Sequence, residues 1–285
     1  MPDYHTMSPG PANGPVTLMF IGGGSRCPAF IGALKAVEEL RIPVGKIIGA
    51  SGGSIVAALY AAGYSPDELH RLSLDTDIGS FRDFSPRGAL AGMGVCRGDA
   101  LERWLDEKLG GKHLGDGLRI PLGVVATDIL NHTPHLLCGD NHPDLKVSAA
   151  VRFSMGIPLV FAWKKYSHRG RDYVFIDGSL MAGIIEGQCA DAARTLTIKT
   201  FAKRSMSRPA SSVLSLRRYG SDLLSIFYGA MDREFLKGGR WKDTITIHCG
   251  TVSPLTFSLS SSEKEFLCEQ GYHQVAKYLR YKGGF

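Results

Sequence analysis

The sequence contains no CxxC pair, no internal repeat, no glycine-serine linker and no low-complexity block. It also has no apolar run long enough to cross a bilayer. No Cys/His/Asp cluster has metal-site spacing, so a metal site is not expected. The six cysteines, at 27, 96, 138, 189, 249 and 268, are scattered. That usage suits a reducing compartment better than a disulfide framework. Residues 1–14 hold three prolines but neither an apolar run nor a basic cluster, and read as a disordered leader, not a signal peptide. A cytoplasmic protein is expected. No zinc finger, helix-turn-helix or RNP-like aromatic pattern accompanies the formal charge of +6, so nucleic acid is not an expected partner. The remaining 15–285 is long enough for one large α/β domain with a substantial core.

The most informative segment is Gly49-Ala50-Ser51-Gly52-Gly53, which reads G-x-S-x-G. The apolar run Lys46-Ile47-Ile48 leads into it and the helix-forming run Ser54–Ala62 leaves it. Strand, sharp turn and helix is the context in which such a serine is a nucleophile. The turn is strained, and Gly49 and Gly53 remove the side chains that would clash beside it. The following helix N-terminus favours an anion at the same place.

A second glycine cluster, Gly22-Gly23-Gly24-Ser25-Arg26, follows the apolar strand Val16–Ile21. Pro28 stands at the first position of an amphipathic helix over 28–40, where Phe30, Ile31, Leu34, Val37 and Leu40 recur at helical spacing. Consecutive glycine amides can hold an oxyanion or a phosphate, or simply make a tight turn. The phosphate readings fit poorly. A dinucleotide fingerprint needs glycine where Cys27 stands and an acid ending the next strand, and a P-loop needs Gly-Lys-Ser/Thr.

A serine nucleophile needs a base. None of the nine histidines lies in a loop that its flanks mark as catalytic, and Ser51 arrives after a single βα unit, unlike the ordinary α/β-hydrolase order. Asp177 follows the strand Tyr173–Ile176 and precedes Gly178-Ser179. Such a carboxylate can take the Ser51 proton if burial raises its basicity; the pair Asp177-Gly178 also reads as a hairpin turn.

The glycine loop, the Ser51 pentapeptide and Asp177-Gly178 resemble, in order and spacing, the three signatures of patatin-like phospholipases. Val125-Ala126-Thr127-Asp128 and Ala149–Pro158 are similar to two linking segments of that family. The likeness runs over roughly residues 15–200, and the chain resembles a bacterial-type single-domain patatin. It implies a three-layer α/β fold with a mostly parallel central sheet and helices on both faces. It implies hydrolysis of lipid or phospholipid acyl esters by a Ser51–Asp177 dyad without histidine, metal or cofactor. Gly22 to Arg26 become the oxyanion hole, with the amides of Gly23, Gly24 and Ser25 as donors and Arg26 steadying the loop. An esterase or acyltransferase using the same dyad, and a non-catalytic membrane-binding protein of the same fold, are the alternatives. Two positions depart from the family: Cys27 stands where glycine is frequent, and Ser179 where the acidic motif usually continues with glycine or alanine. Altered packing, with the chemistry kept, is expected at both.

The other expected elements are strands at 46–49, 121–127, 133–138, 194–200 and 243–249. Helices are expected at 52–62, from Pro66 to about 74, and at 99–109, 145–154, 211–236 and 262–281. A hairpin of 159–165 with 172–176 would deliver Asp177. Residues 76–98 read as either a lid over an acyl groove or an irregular surface connection. Residues 201–242 carry nine Lys/Arg against three acids and complete the domain as a basic helical region, able to touch an anionic membrane peripherally or to present a solvated face.

Overall fold

The computed structural model describes residues 14–86, 88, 94–189, 195–201, 222, 223, 226, 229 and 244–282. The leader over 1–13, most of the lid segment's middle and nearly all of the basic region 202–243 lie outside them, and with them the expected helix at 211–236. In chain order the elements are β1 (Val16–Ile21), α1 (Pro28–Glu39), β2 (Val44–Ala50), α2 (Gly52–Ala62), α3 (Pro66–Asp75), α4 (Asp99–Leu109), β3 (Leu122–Asp128) and β4 (Thr133–Cys138). Then come α5 (Val147–Ser154), β5 (Lys164–His168), β6 (Arg171–Ile176), α6 (Ala182–Cys189), β7 (Thr195–Phe201), β8 (Thr244–His248) and α7 (Ser261–Lys282).

The strands form one eight-stranded sheet in the order β5-β6-β3-β2-β1-β7-β8, with β4 beside β3. Strands β1, β2, β3, β7 and β8 pair in parallel, whereas β4, β5 and β6 join through antiparallel pairings. Every residue of β1 is buried, as a central parallel strand covered on both faces must be. Its side chains alternate: Val16, Leu18 and Phe20 enter the large core under α1, α2 and α7, and Met19 and Ile21 enter a smaller one with Ala182 and Ile185 of α6. The expected α/β fold with helices on both faces is therefore present, but unequally covered among the described residues.

Local chemistry explains the element ends. Pro28 opens α1, Ser65 and Glu68 form a reciprocal capping box on α3, and left-handed Gly63 ends α2. The hairpin differs from expectation. Its first strand is Lys164–His168, not 159–165, because Val160 and Phe161 amides turn back onto the Ile157 carbonyl. Leu159 there has φ 66°. The eight-residue helix α6 was not expected: its apolar residues show no amphipathic stripe.

One feature of the pairing positions the site. Strand β4 occupies one edge of β3 from Gly123 to Asp128. On the other edge β2 pairs in parallel up to Ala50↔Val125, and β6 pairs antiparallel from Ile176↔Thr127. The two strands thus run toward each other along one edge, and their carboxyl ends meet at the level of Ala126. Ser51 follows one end and Asp177 follows the other.

Candidate active site

Ser51 sits between β2 and α2 with φ 55° and ψ −133°, a conformation that L-residues rarely adopt. Small neighbours permit it. A Cβ on Gly53 would come within 2.7 Å of Phe20, and one on Gly49 would strike Ser54. The Ser51 amide donates to Ser154 Oγ at 2.8 Å, and the Ser54 hydroxyl donates to the Ser51 carbonyl at 2.6 Å. The Ser51 hydroxyl donates to Asp177 Oδ2 at 2.7 Å, and Met155 sulfur lies 4.0 Å away. Ser51 Oγ and Asp177 have no histidine partner among the described residues.

Asp177 is completely buried. Its amide donates to the Gly156 carbonyl at 3.0 Å, and its carbonyl accepts from Thr127 Oγ1 at 2.9 Å. Its Oδ1 accepts from the Ser179 amide at 2.8 Å and the Ser179 hydroxyl at 2.5 Å. Burial raises the carboxyl above its ordinary range; the bonds from Ser179 and Ser51 oppose that rise. Gly178 passes so close to the Val125 carbonyl that any Cβ would collide with it.

The glycine loop lies against the Ser51 turn. Gly22 donates to the Ala50 carbonyl at 3.1 Å and accepts from the Gly53 amide at 2.9 Å. The Ser25 amide donates to Pro254 at 3.0 Å and the Arg26 amide to Gly23 at 2.9 Å. These three amides are engaged elsewhere, Ser25 of the expected donors among them. The amides of Gly23, Gly24 and Gly52 have no hydrogen-bond partner among the described residues. Gly24 and Gly52 touch backbone to backbone, since a Cβ on Gly52 would come within 2.6 Å of the Gly24 nitrogen. Arg26 is buried with Nε 3.4 Å from the Gly23 carbonyl. Burial pushes the thiol of the neighbouring Cys27 up to about 12.

A cleft opens beside the loop, lined by Gly24, Met155, Ile55, Leu59, Phe81 and Trp104 among others. Its walls are almost wholly apolar. Ile55 and Leu59 lie one and two turns along α2 from Ser51, so the cleft follows that helix for about 6 Å. Phe81, in the segment read as lid or connection, is a buried wall residue packed on Trp104 at 5.2 Å between ring centroids. No group of three or more His, Cys, Asp or Glu with metal-site geometry occurs among the described residues. No helix among them is long and apolar enough to cross a membrane.

Ser154, Thr127 and Met155 carry site contacts that no residue-level signal had singled out. They lie in the two linking segments that resemble the family, so their position was marked although their partners were not.

Comparison with known proteins places the chain in a class. The sequence model of the patatin-like phospholipases matches residues 18–186, and the chain belongs to that family. The uncharacterized protein YqhO of Bacillus subtilis is 26% identical over 282 residues, covering 92% of this chain and 97% of its own. An NTE-family protein of Mycobacterium tuberculosis is 27% identical over 195 residues, 68% of this chain and 51% of the relative. A lysophospholipase, nte1, of Aspergillus fumigatus is 44% identical over 59 residues, 21% of this chain and 4% of the fungal protein. Among solved structures, VipD from Legionella pneumophila superposes with a TM-score of 0.63 at 17% identity, covering 95% of this chain and 68% of VipD. ExoU from Pseudomonas aeruginosa, in its complex with SpcU, gives 0.53 at 17% identity, covering 94% of this chain and 52% of the other. The structural likenesses concern the fold.

Proposed function

We propose that this protein hydrolyses acyl ester bonds of lipids through a Ser51–Asp177 dyad. The observation that carries the reading is the 2.7 Å bond between two buried groups 126 residues apart, beside an apolar cleft. Membership of the patatin-like phospholipases and the lysophospholipase named among the relatives support a lipid ester as substrate.

Asp177 Oδ2 takes the hydroxyl proton as Ser51 Oγ attacks the ester carbonyl. The carbonyl oxygen gains the negative charge and lies against the amides of Gly23, Gly24 and Gly52 at the positive end of α2. The acyl chain extends along the α2 side of the cleft, where Ile55, Leu59 and Trp104 exclude water. The alcohol or lysolipid leaves with the proton from Asp177, and a water activated by the same carboxylate releases the fatty acid. The Ser51 strain serves this chemistry by holding the hydroxyl at the tip of the turn.

Fluorophosphonate labelling tests the dyad. Wild-type protein is expected to be labelled at Ser51, Ser51→Ala not at all, and folded Asp177→Asn more than about a hundredfold more slowly. Wild-type labelling rates in Asp177→Asn would end the proposal.

A further inference from the structure

We infer that Ser179 is a positioning residue for Asp177, its hydroxyl and amide together clamping Oδ1 so that Oδ2 faces Ser51. The inference rests on the Ser51–Asp177 reading and adds a residue to it. Glycine or alanine, usual here in the family the sequence resembles, would supply the amide alone. This chain adds a hydroxyl, itself buried, at 2.5 Å from the same oxygen that accepts the Ser179 amide at 2.8 Å.

The geometry has two consequences. Two donors from one residue on one oxygen resist rotation of the carboxylate about its Cβ–Cγ bond, leaving Oδ2 directed at the Ser51 hydroxyl 2.7 Å away. The same donors act on charge. When Asp177 accepts the proton, the Ser51 Oγ–H bond breaks and an Oδ2–H bond forms. The Oγ electron pair goes to the acyl carbon, and the negative charge moves to the carbonyl oxygen. Ser179 then faces a neutral carboxyl group, and both of its bonds weaken. Ser179 therefore opposes proton uptake, while burial promotes it; its hydroxyl is the largest influence set against burial. Asp128 of β3, Arg152 of α5 and Glu186 of α6 are the charged residues on the elements packed against this turn, and none of them contributes to the Asp177 shift. The clamp keeps a fully buried base ionised to lower pH than burial alone would allow.

The test is the rate of Ser51 labelling by a fluorophosphonate across about pH 4 to 9 in wild type, Ser179→Ala, Ser179→Gly and Ser179→Thr. The acid limb of Ser179→Ala is expected to move to higher pH, with labelling on that limb roughly tenfold below wild type while activity persists at alkaline pH. Ser179→Thr, which keeps the hydroxyl, is expected to restore the wild-type limb. Ser179→Gly has no side chain to repack and repeats the measurement if the alanine variant does not fold. A Ser179→Ala or Ser179→Gly limb that superimposes on wild type overturns the inference, as does a threonine limb displaced as far as alanine's. Both results leave the dyad standing, because Asp177→Asn would still label slowly. Absent labelling of wild-type Ser51 would instead remove the dyad, and this inference with it.

Discussion

The two turns that meet in the site hold their functional groups by different physical means. The Ser51 turn is strained in its backbone: a non-glycine residue at φ 55° and ψ −133°, trapped between β2 and α2. The Asp177 turn has ordinary angles, φ −47° and ψ 125°. Its unfavourable energy is electrostatic, a carboxylate removed from water with three hydrogen bonds in compensation. Backbone strain does not titrate; the energy of a buried charge does. Two side chains in hydrogen-bond contact can thus be poised by two devices that respond to different perturbations.

Removing the hydroxyl breaks the pair most completely. Ser51→Ala should lower turnover of a chromogenic short-chain ester by at least about a thousandfold. Gly24→Ala comes next, since the loop there has φ 53° and an added Cβ would strike the Pro254 carbonyl. Displacing this one donor should reduce the rate roughly a hundredfold in folded protein.

Stability measurements then separate the two devices. Asp177 has a folded-state pKa raised above its unfolded value by burial. The unfolded chain therefore ionises first, and wild-type stability falls as pH rises from the ordinary carboxylate range through the raised folded value. Asp177→Asn escapes that loss. Its melting temperature should exceed wild type on the alkaline side of this window, and the difference should shrink as pH falls through it. A constant difference would show that the Asp177 energy is not electrostatic. Ser51→Gly should stabilise by about 1 kcal/mol, or roughly 2–4 °C, through relief of strain at acid pH. Because it also removes the hydroxyl bond that lowers the Asp177 pKa, the gain should shrink as pH rises. No gain at acid pH would show that the Ser51 turn stores no strain.

Much of this architecture was legible because the signals are local. Val16–Ile21 is apolar throughout, Pro28 and Ser65 mark helix starts, and small residues surround Ser51 where a strand passes into a helix. The hairpin before Asp177 was misplaced because Leu159, Val160 and Phe161 have the composition of a strand, yet their backbone turns onto Ile157. Helix α6 was missed because it is short and lacks an apolar stripe. In the glycine loop the residues are marked, but Ser25 reads as a free donor although its amide is engaged by the Pro254 carbonyl. Which amides are engaged depends on the carbonyls of Ala50 and Pro254, which approach from elsewhere in the chain.

By itself the sequence determined what depends on neighbours in the chain: the strand–turn–helix at Ser51, the run of glycine amides, and an aspartate placed at the end of a strand. Tertiary structure alone decided what depends on neighbours in space. Strands β2 and β6 share one edge of β3 and converge at Ala126, which brings Ser51 and Asp177 to 2.7 Å. The same convergence buries the carboxylate and supplies Ser154 and Thr127 as supports. The physical reason is range. Backbone preference acts over a few residues of chain, whereas desolvation and hydrogen bonding depend on whatever the completed fold packs around a group.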